Sequence, residues 1–148
     1  MRKFYIIDQF KHLNPKLPKR QTTYSAGYDL ASIEEVTINP SEIKLIPTGL
    51  KVEMPKDEVL LVFPRSSLAM KKHVTMSNNV GVIDADYFNN LDNEGHIMVP
   101  LLNYGQSPIK IEKGERIAQG IFIKYQTTID DEPVSENRSG GFGSSDKS

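Results

Sequence analysis

The amino-acid sequence predicts an all-β fold, a barrel or sandwich of jelly-roll type, with one short helix and a flexible C-terminal arm. Three observations lead there. Short runs of β-branched, aromatic and aliphatic residues recur along the chain, each closed off by turn chemistry. A single segment, SSLAMKK at residues 66–72, has helix formers behind a serine pair. After Tyr125 the apolar pattern stops, and QTTIDDEPVSENRSGGFGSSDKS reads as an arm without a core.

In chain order the strand-like runs are FYIID, GYDLAS, EVTI, EIKLI, LKVEM, EVLLVF, HVTM, NVGVI, HIMVPLL, PIKI and RIAQGIFIKY. Between them stand NPKLPK, NPSE, PTG, MPKD, NNLDNEG, YGQSP and EKGE, rich in the Pro, Gly, Asn and Asp that turns require. Roughly ten short strands with turns every 8–12 residues are the pattern of closed or double-sheet β architectures. The chain therefore divides into a β domain over residues 1–125 and an arm over residues 126–148.

A length of 148 residues supports one core and not two. Hydrophobic residues make up 38% and charged residues 25%, the balance of an ordinary globular domain. A formal net charge of -1 argues against a nucleic-acid coat or a membrane-surface role, since both favour a basic excess. No apolar stretch is long enough to span a membrane, and FYIID is too short for a signal-peptide core. The absence of cysteine rules out disulfides and thiolate metal sites and suits the cytoplasm.

Three stretches could carry chemistry. In FPRSSLAM (63–70), Arg65, Ser66 and Ser67 offer a guanidinium and two hydroxyls at a helix start, a set suited to an oxyanion such as phosphate. The plainer reading is a serine N-cap beside a surface arginine. In SNNVGVIDADYFNN (77–90), a buried-looking strand from Val80 to Ile83 ends in Asp84, with Asp86 and Tyr87 following. A carboxylate there, next to an aromatic ring, could act as general base over a stacked sugar or base. The plainer reading is an Asx turn with Tyr87 as partial core. Gly81 would allow a ligand close to the backbone, or mark a β-bulge. In AGYDLAS (26–32), Asp29 sits in an apolar strand and needs a partner. Arg116 in GERIAQG is the candidate, with Gln119 near the same end. His12, His73 and His96 are scattered and read as surface or turn residues, so any divalent ion would arrive with a phosphorylated substrate.

AGYDL, PRSS, NxVGVIDADY, GERIAQ and RSGGFGS follow one another in the order of the five motifs of the trimeric dUTPases, and the resemblance spans about residues 18–145. It implies a jelly-roll β-barrel that forms a homotrimer with active sites at subunit interfaces. The implied activity converts dUTP to dUMP and pyrophosphate with Mg2+ on the triphosphate, limiting uracil in DNA and supplying dUMP for thymidylate synthesis. By the same resemblance Asp84 deprotonates the water that attacks the α-phosphorus. Tyr87 packs on the deoxyribose and excludes a 2′-hydroxyl. Asn78, the backbone of Gly81, Val82 and Ile83, and the main chain at Met98 read uracil. Arg65, Ser66 and Ser67 hold phosphates, Gln119 meets the α-phosphate region, and Asp29 meets magnesium-bound water or the site's ordering network. In the arm, Arg138 reaches the γ-phosphate, Phe142 stacks on uracil, Gly140, Gly141 and Gly143 let the backbone wrap close, and Ser144 joins the substrate-binding set. The twelve residues between Tyr125 and Arg138 span up to roughly 40 Å when extended, enough to close a conditional lid over a neighbour. The implied partners are dUTP and two further copies of the chain, with no direct contact to nucleic acid or membrane.

The sequence departs from the pattern in four places. Leu68 stands where glycine is common, Asn89 and Asn90 replace Gly-Glu, LDNEGH lengthens the hairpin turn over 88–95, and the tail has one residue fewer between Arg138 and Phe142 than some members. Two other functions fit the scaffold. A dCTP deaminase would want a glutamate at the pyrimidine, where this chain has an aspartate; a catalytically idle nucleotide binder would have no need of Asp84, Tyr87 and Phe142 together.

Overall fold

The computed structural model describes residues 1–135 and Arg138. Its strands are β1 (Lys3–Ile6), β2 (Tyr28–Ala31), β3 (Val36–Ile38), β4 (Ile43–Pro47), β5 (Leu50–Glu53), β6 (Glu58–Pro64), β7 (Val74–Met76), β8 (Gly81–Asp84), β9 (Met98–Asn103), β10 (Ile109–Ile111) and β11 (Arg116–Lys124). Each coincides with one of the runs read from sequence. The helix α1 (Ser66–Lys72) also falls where its composition placed it. Two 3-10 turns, Asp8–Leu13 and Ala85–Tyr87, had no periodic signal because each is too short to show one.

The strands pair antiparallel in four sheets, ordered β1-β5, β10-β3, β2-β11-β6-β8 and β4-β9-β7. A closed barrel is not formed among the described residues. Closure needs every strand to have two partners, whereas β1 with β5 and β3 with β10 pair only each other. Proline ends β4 and β6 and removes the donor that would extend the ladder. A register shift between Arg116 and Ala118 interrupts β11 against β2.

The sheets share one core. Leu30, Ile38, Ile46, Leu60, Val74, Val99, Leu101, Ile111 and Ile117, drawn from different sheets, are all fully buried in one cluster. Strand alternation puts them there: in β6 Glu58, Leu60 and Val62 point inward while Val59, Leu61 and Phe63 are half-buried. The inward Glu58 is answered by both Arg2 Nε and Arg2 Nη2 in a bidentate pair. Buried Asn103 ties β9 to β3, donating to the carbonyls of Ile38 and Ser107, each at 2.9 Å. Among the described residues no helix is long and apolar enough to cross a membrane.

Two local expectations change. The N-cap of α1 is Arg65, in extended conformation and without a side-chain cap bond, rather than a serine; Ser66 is already helical. His96 is not a surface residue: it is 6% exposed, and its Nε2 accepts the Gly49 N–H at 2.9 Å. Desolvation lowers its pKa to about 4.

Candidate active site

Strand β8 is an edge of the four-stranded sheet, and its register against β6 runs unbroken from Val62↔Gly81 to Val59↔Asp84. There is thus no bulge at Gly81. A Cβ at that position would meet the Cβ of Val62 at 3.3 Å and Asn78 Nδ2 at 3.6 Å, so glycine keeps the floor of the adjoining cavity open. The strand was expected to be buried, yet only Ile83 is; Val82, which alternation turns to the opposite face, is 60% exposed.

At Asp84 the chain leaves the strand and enters the 3-10 turn Ala85–Tyr87, which carries Tyr87 inward. Tyr87 is 4% exposed, and its hydroxyl donates to the His96 carbonyl at 2.7 Å while accepting from Asn93 Nδ2 at 2.8 Å. Burial pushes its phenol above the ordinary pKa. The Asp84 side chain stays half-exposed at the rim.

Between these groups lies a cavity of about 160 Å³. Val62, Met76, Ile83 and Met98 form its apolar wall, and Asn78, Asp84, Tyr87 and Arg138 supply its polar atoms. Arg138 bridges two carboxylates, its Nη2 donating to Asp84 Oδ2 and its Nε to Asp86 Oδ1 at 2.8 Å. The bond to Asp86, ahead of the nearby charge of Asp84, raises the pKa of Arg138 and keeps it cationic. A wider groove of about 560 Å³ runs past His73 and Tyr104, but no carboxylate lines it among the described residues.

The second group of sequence-predicted residues gathers elsewhere. Asp29 faces Gln119 across the β2–β11 ladder. Its carboxylate takes Arg116 Nη1 at 3.3 Å, the expected partner, and lies 4.0 Å from Arg65 Nε. Arg65 Nη1 also donates to the Arg116 carbonyl at 3.2 Å, so one acidic group and one carbonyl hold two guanidiniums side by side. A Cβ at Gly27 would clash with Gln119 Oε1, so glycine there lets the Gln119 amide lie against the backbone. Ser66 is exposed and Ser67 half-buried at the start of α1.

The chain thus brings Asp84, Asn78, Gly81, Val82, Ile83, Tyr87, Met98 and Arg138 to one cavity and leaves Arg65, Ser66, Ser67, Gln119 and Asp29 apart from it. Asp84 lies opposite Val59 near the start of β6, and Arg65 follows its end. From Val59 to Arg65 is six steps along extended chain, a distance of ~20 Å. Phe142, Gly143 and Ser144 lie outside the described residues. Among the described residues no three His, Asp or Glu side chains converge on a point that could hold a metal.

The sequence reading missed Val62 and Met76, which line the cavity, and Asn93 and His96, which stand behind Tyr87. Val62 and Met76 alternate as any core residue does. Asn93 lay within the lengthened turn, whose departure from the family pattern was its signal.

The dUTPase family model matches residues 14–146. The chain is 47% identical over 145 residues to the deoxyuridine 5′-triphosphate nucleotidohydrolase of Lactococcus lactis, covering 97% of both. Its fold is similar to that of the dUTPase from Streptococcus mutans, with a TM-score of 0.81 and 43% identity over 84% of this chain and 97% of that one. It is also similar to a dUTPase mutant of Staphylococcus bacteriophage 80alpha solved with dUpNHpp, with a TM-score of 0.72 and 26% identity over 98% of each. With motifs, length and fold in agreement over nearly the whole chain, the protein belongs to the dUTPase family.

Proposed function

We propose that the protein is a dUTP diphosphatase, hydrolysing dUTP to dUMP and pyrophosphate. The observation that carries this reading is the placement of Asp84, a half-exposed carboxylate at a strand end, on the rim of a small cavity walled by Tyr87. Asn78 and the backbone of Gly81 to Ile83 line the same cavity and present the fixed polar groups that uracil would need. A site of unmatched buried donors and acceptors rejects the wrong base by up to about 10⁴–10⁵.

In this mechanism Asp84 takes a proton from water as its oxygen bonds to the α-phosphorus. The bond from that phosphorus to the bridging oxygen breaks, and pyrophosphate leaves. Arg138 pairs with Asp84 and Asp86, and on meeting the γ-phosphate it would release Asp84 to act as base. Phe142, Gly143 and Ser144, in the arm of residues 126–148, would complete the substrate-binding set when the arm closes over the β domain, residues 1–125, of a neighbouring copy. Arg65, Ser66, Ser67 and Gln119 bind the phosphates, and the guanidiniums offset charge on the transferring group. In this reading magnesium is bound through phosphates, as that ion commonly is, and enters with the substrate as the Mg2+ complex of dUTP. Asp29, already engaged by two arginines, orders them and would meet the ion only through water.

The ~20 Å along β6 between the cavity and the phosphate-binding group exceeds what a single bound nucleotide bridges comfortably. The reading therefore includes a second copy of the chain supplying the phosphate side, within a jelly-roll homotrimer in the cytoplasm. The test is pyrophosphate release from dUTP, UTP, dTTP and dCTP, with and without Mg2+. Release from dUTP with magnesium and little from the others is expected. Binding of dUTP without cleavage would sink the proposal, and ammonia from dCTP would point to deamination.

A further inference from the structure

We infer that Asn93, in the lengthened turn between β8 and β9, is a positioning residue that sharpens discrimination between deoxyribose and ribose by pinning the ring of Tyr87. The inference rests on the functional reading above, in which that ring packs against the sugar.

The turn is wired toward Tyr87 rather than toward solvent. Asn93 Oδ1 accepts the Gly95 N–H at 3.1 Å and Asn90 Nδ2 at 2.8 Å. Asn90 Oδ1 accepts the N–H groups of Asp92 and Asn93, each at 3.0 Å, and its Nδ2 also reaches the Tyr87 carbonyl at 2.8 Å. A backbone N–H only donates, so these contacts decide which end of each side-chain amide faces which way. The Nδ2 of Asn93 must then point at Tyr87, where it donates to the hydroxyl at 2.8 Å. With that lone pair engaged, the phenol directs its own proton to the His96 carbonyl at 2.7 Å. Two bonds of fixed sense at the far end of the ring hold its position.

The surrounding backbone is shaped for this contact. Gly95 has φ +89°, and a Cβ there would sit 2.8 Å from the Tyr87 carbonyl, so the turn closes directly on the residue it supports. Asn89 and Glu94 are left-handed, at φ 56° and 64°, and Lys51 Nζ anchors both, to Asn89 Oδ1 at 2.6 Å and Glu94 Oε2 at 2.7 Å. Asn90, Tyr87 and His96 are each under 9% exposed, so water competes little for these bonds. Steric exclusion of one hydroxyl is only as sharp as the wall is stiff. A ring free to slide by a fraction of an ångström admits the larger sugar.

Asn93→Asp separates this role from a merely structural one. It keeps the oxygen that serves Gly95 and Asn90 and replaces the donor to Tyr87 with an acceptor, which the single hydroxyl proton can meet only by leaving the His96 carbonyl, so one of the two bonds is lost. The readout is the ratio of kcat/KM for dUTP to that for UTP, with Tm alongside, in wild type, Asn93→Asp and Asn93→Ala. Loss of one such bond is expected to lower the ratio about 3- to 10-fold in both variants. In a Tyr87→Phe background, which has no hydroxyl to hold, Asn93→Asp is expected to add no further change. The relative affinity for dUMP over UMP, measured by calorimetry, supplies the same ratio without turnover. A ratio equal to wild type in both variants, whatever their Tm, overturns the inference while leaving the functional reading intact. A wild-type protein that cleaves no dUTP overturns that reading, and one that also shows no preference for dUMP overturns both.

Discussion

Around Asp84 the polar side chains run from exposed Asn78 to buried Tyr87 and line one cavity, with Tyr87 fixed by the turn behind it; around Arg65 they are directed at one another and line no such cavity among the described residues. The first region has a shape of its own. The second has charge without shape: two guanidiniums held together by Asp29 and a carbonyl, beside two serines at the start of a short helix. The contrast follows the two halves of a nucleotide. A base and sugar are told from their relatives by matched polar atoms and volume, which need a rigid wall. A triphosphate needs positive charge that gives way to it, and an arginine pair crowded on one carboxylate gains on meeting further anions.

The largest effect expected is at the cavity. Asp84→Asn should retain nucleotide binding and lose ~10²–10⁴ in kcat, the usual worth of a general base. Unchanged turnover would move the chemistry away from this region. On the other side, Arg65→Ala removes charge-assisted bonds and should lower kcat/KM for dUTP about 10- to 100-fold. Mixing sharpens the comparison further. If the two regions come from different copies, Asp84→Asn and Arg65→Ala chains refolded together should exceed the summed activity of the two variants alone. Activity no greater than that sum would mean that one chain supplies both.

Acid should separate the regions by stability. The guanidiniums of the phosphate side keep their charge at any pH of interest, whereas the wall behind Tyr87 contains His96. Burial lowers its folded pKa to about 4, with Glu94 opposing slightly. The unfolded chain therefore takes up the proton first, and the contribution to stability is full above about pH 6.5 and lost as pH falls toward 4. The expected loss is about 2 kcal/mol between pH 7 and 5, read by denaturant unfolding. His96→Gln, which retains an acceptor for the Gly49 N–H but does not titrate, should flatten that dependence.

Much of this was legible beforehand. The strand runs were visible because alternation and turn residues act over a handful of positions, and the Asp29–Arg116 pair followed from the cost of an unpartnered charge in an apolar strand. His96 was not legible. In HIMVPLL it reads as a turn residue, and nothing nearby announces that Gly49, distant in the chain, will cap its ring nitrogen. Asn93 was noticed only as part of an overlong turn, since its bond to Tyr87 depends on how that turn folds back. The closed barrel was expected too readily, because a strand count carries no information about whether edges meet.

Local chemistry along the chain thus decided where each strand starts and stops, where the one short helix lies, and which carboxylates, hydroxyls and guanidiniums are on hand. Folding in three dimensions decided that β6 carries Asp84 beside its beginning and Arg65 just past its end, and that the Tyr87 ring is caught between Asn93 and His96. The physical reason is range. Turn and side-chain preferences are settled among near neighbours, whereas ladder register and the company of a buried group are settled by segments that meet only once the core has closed.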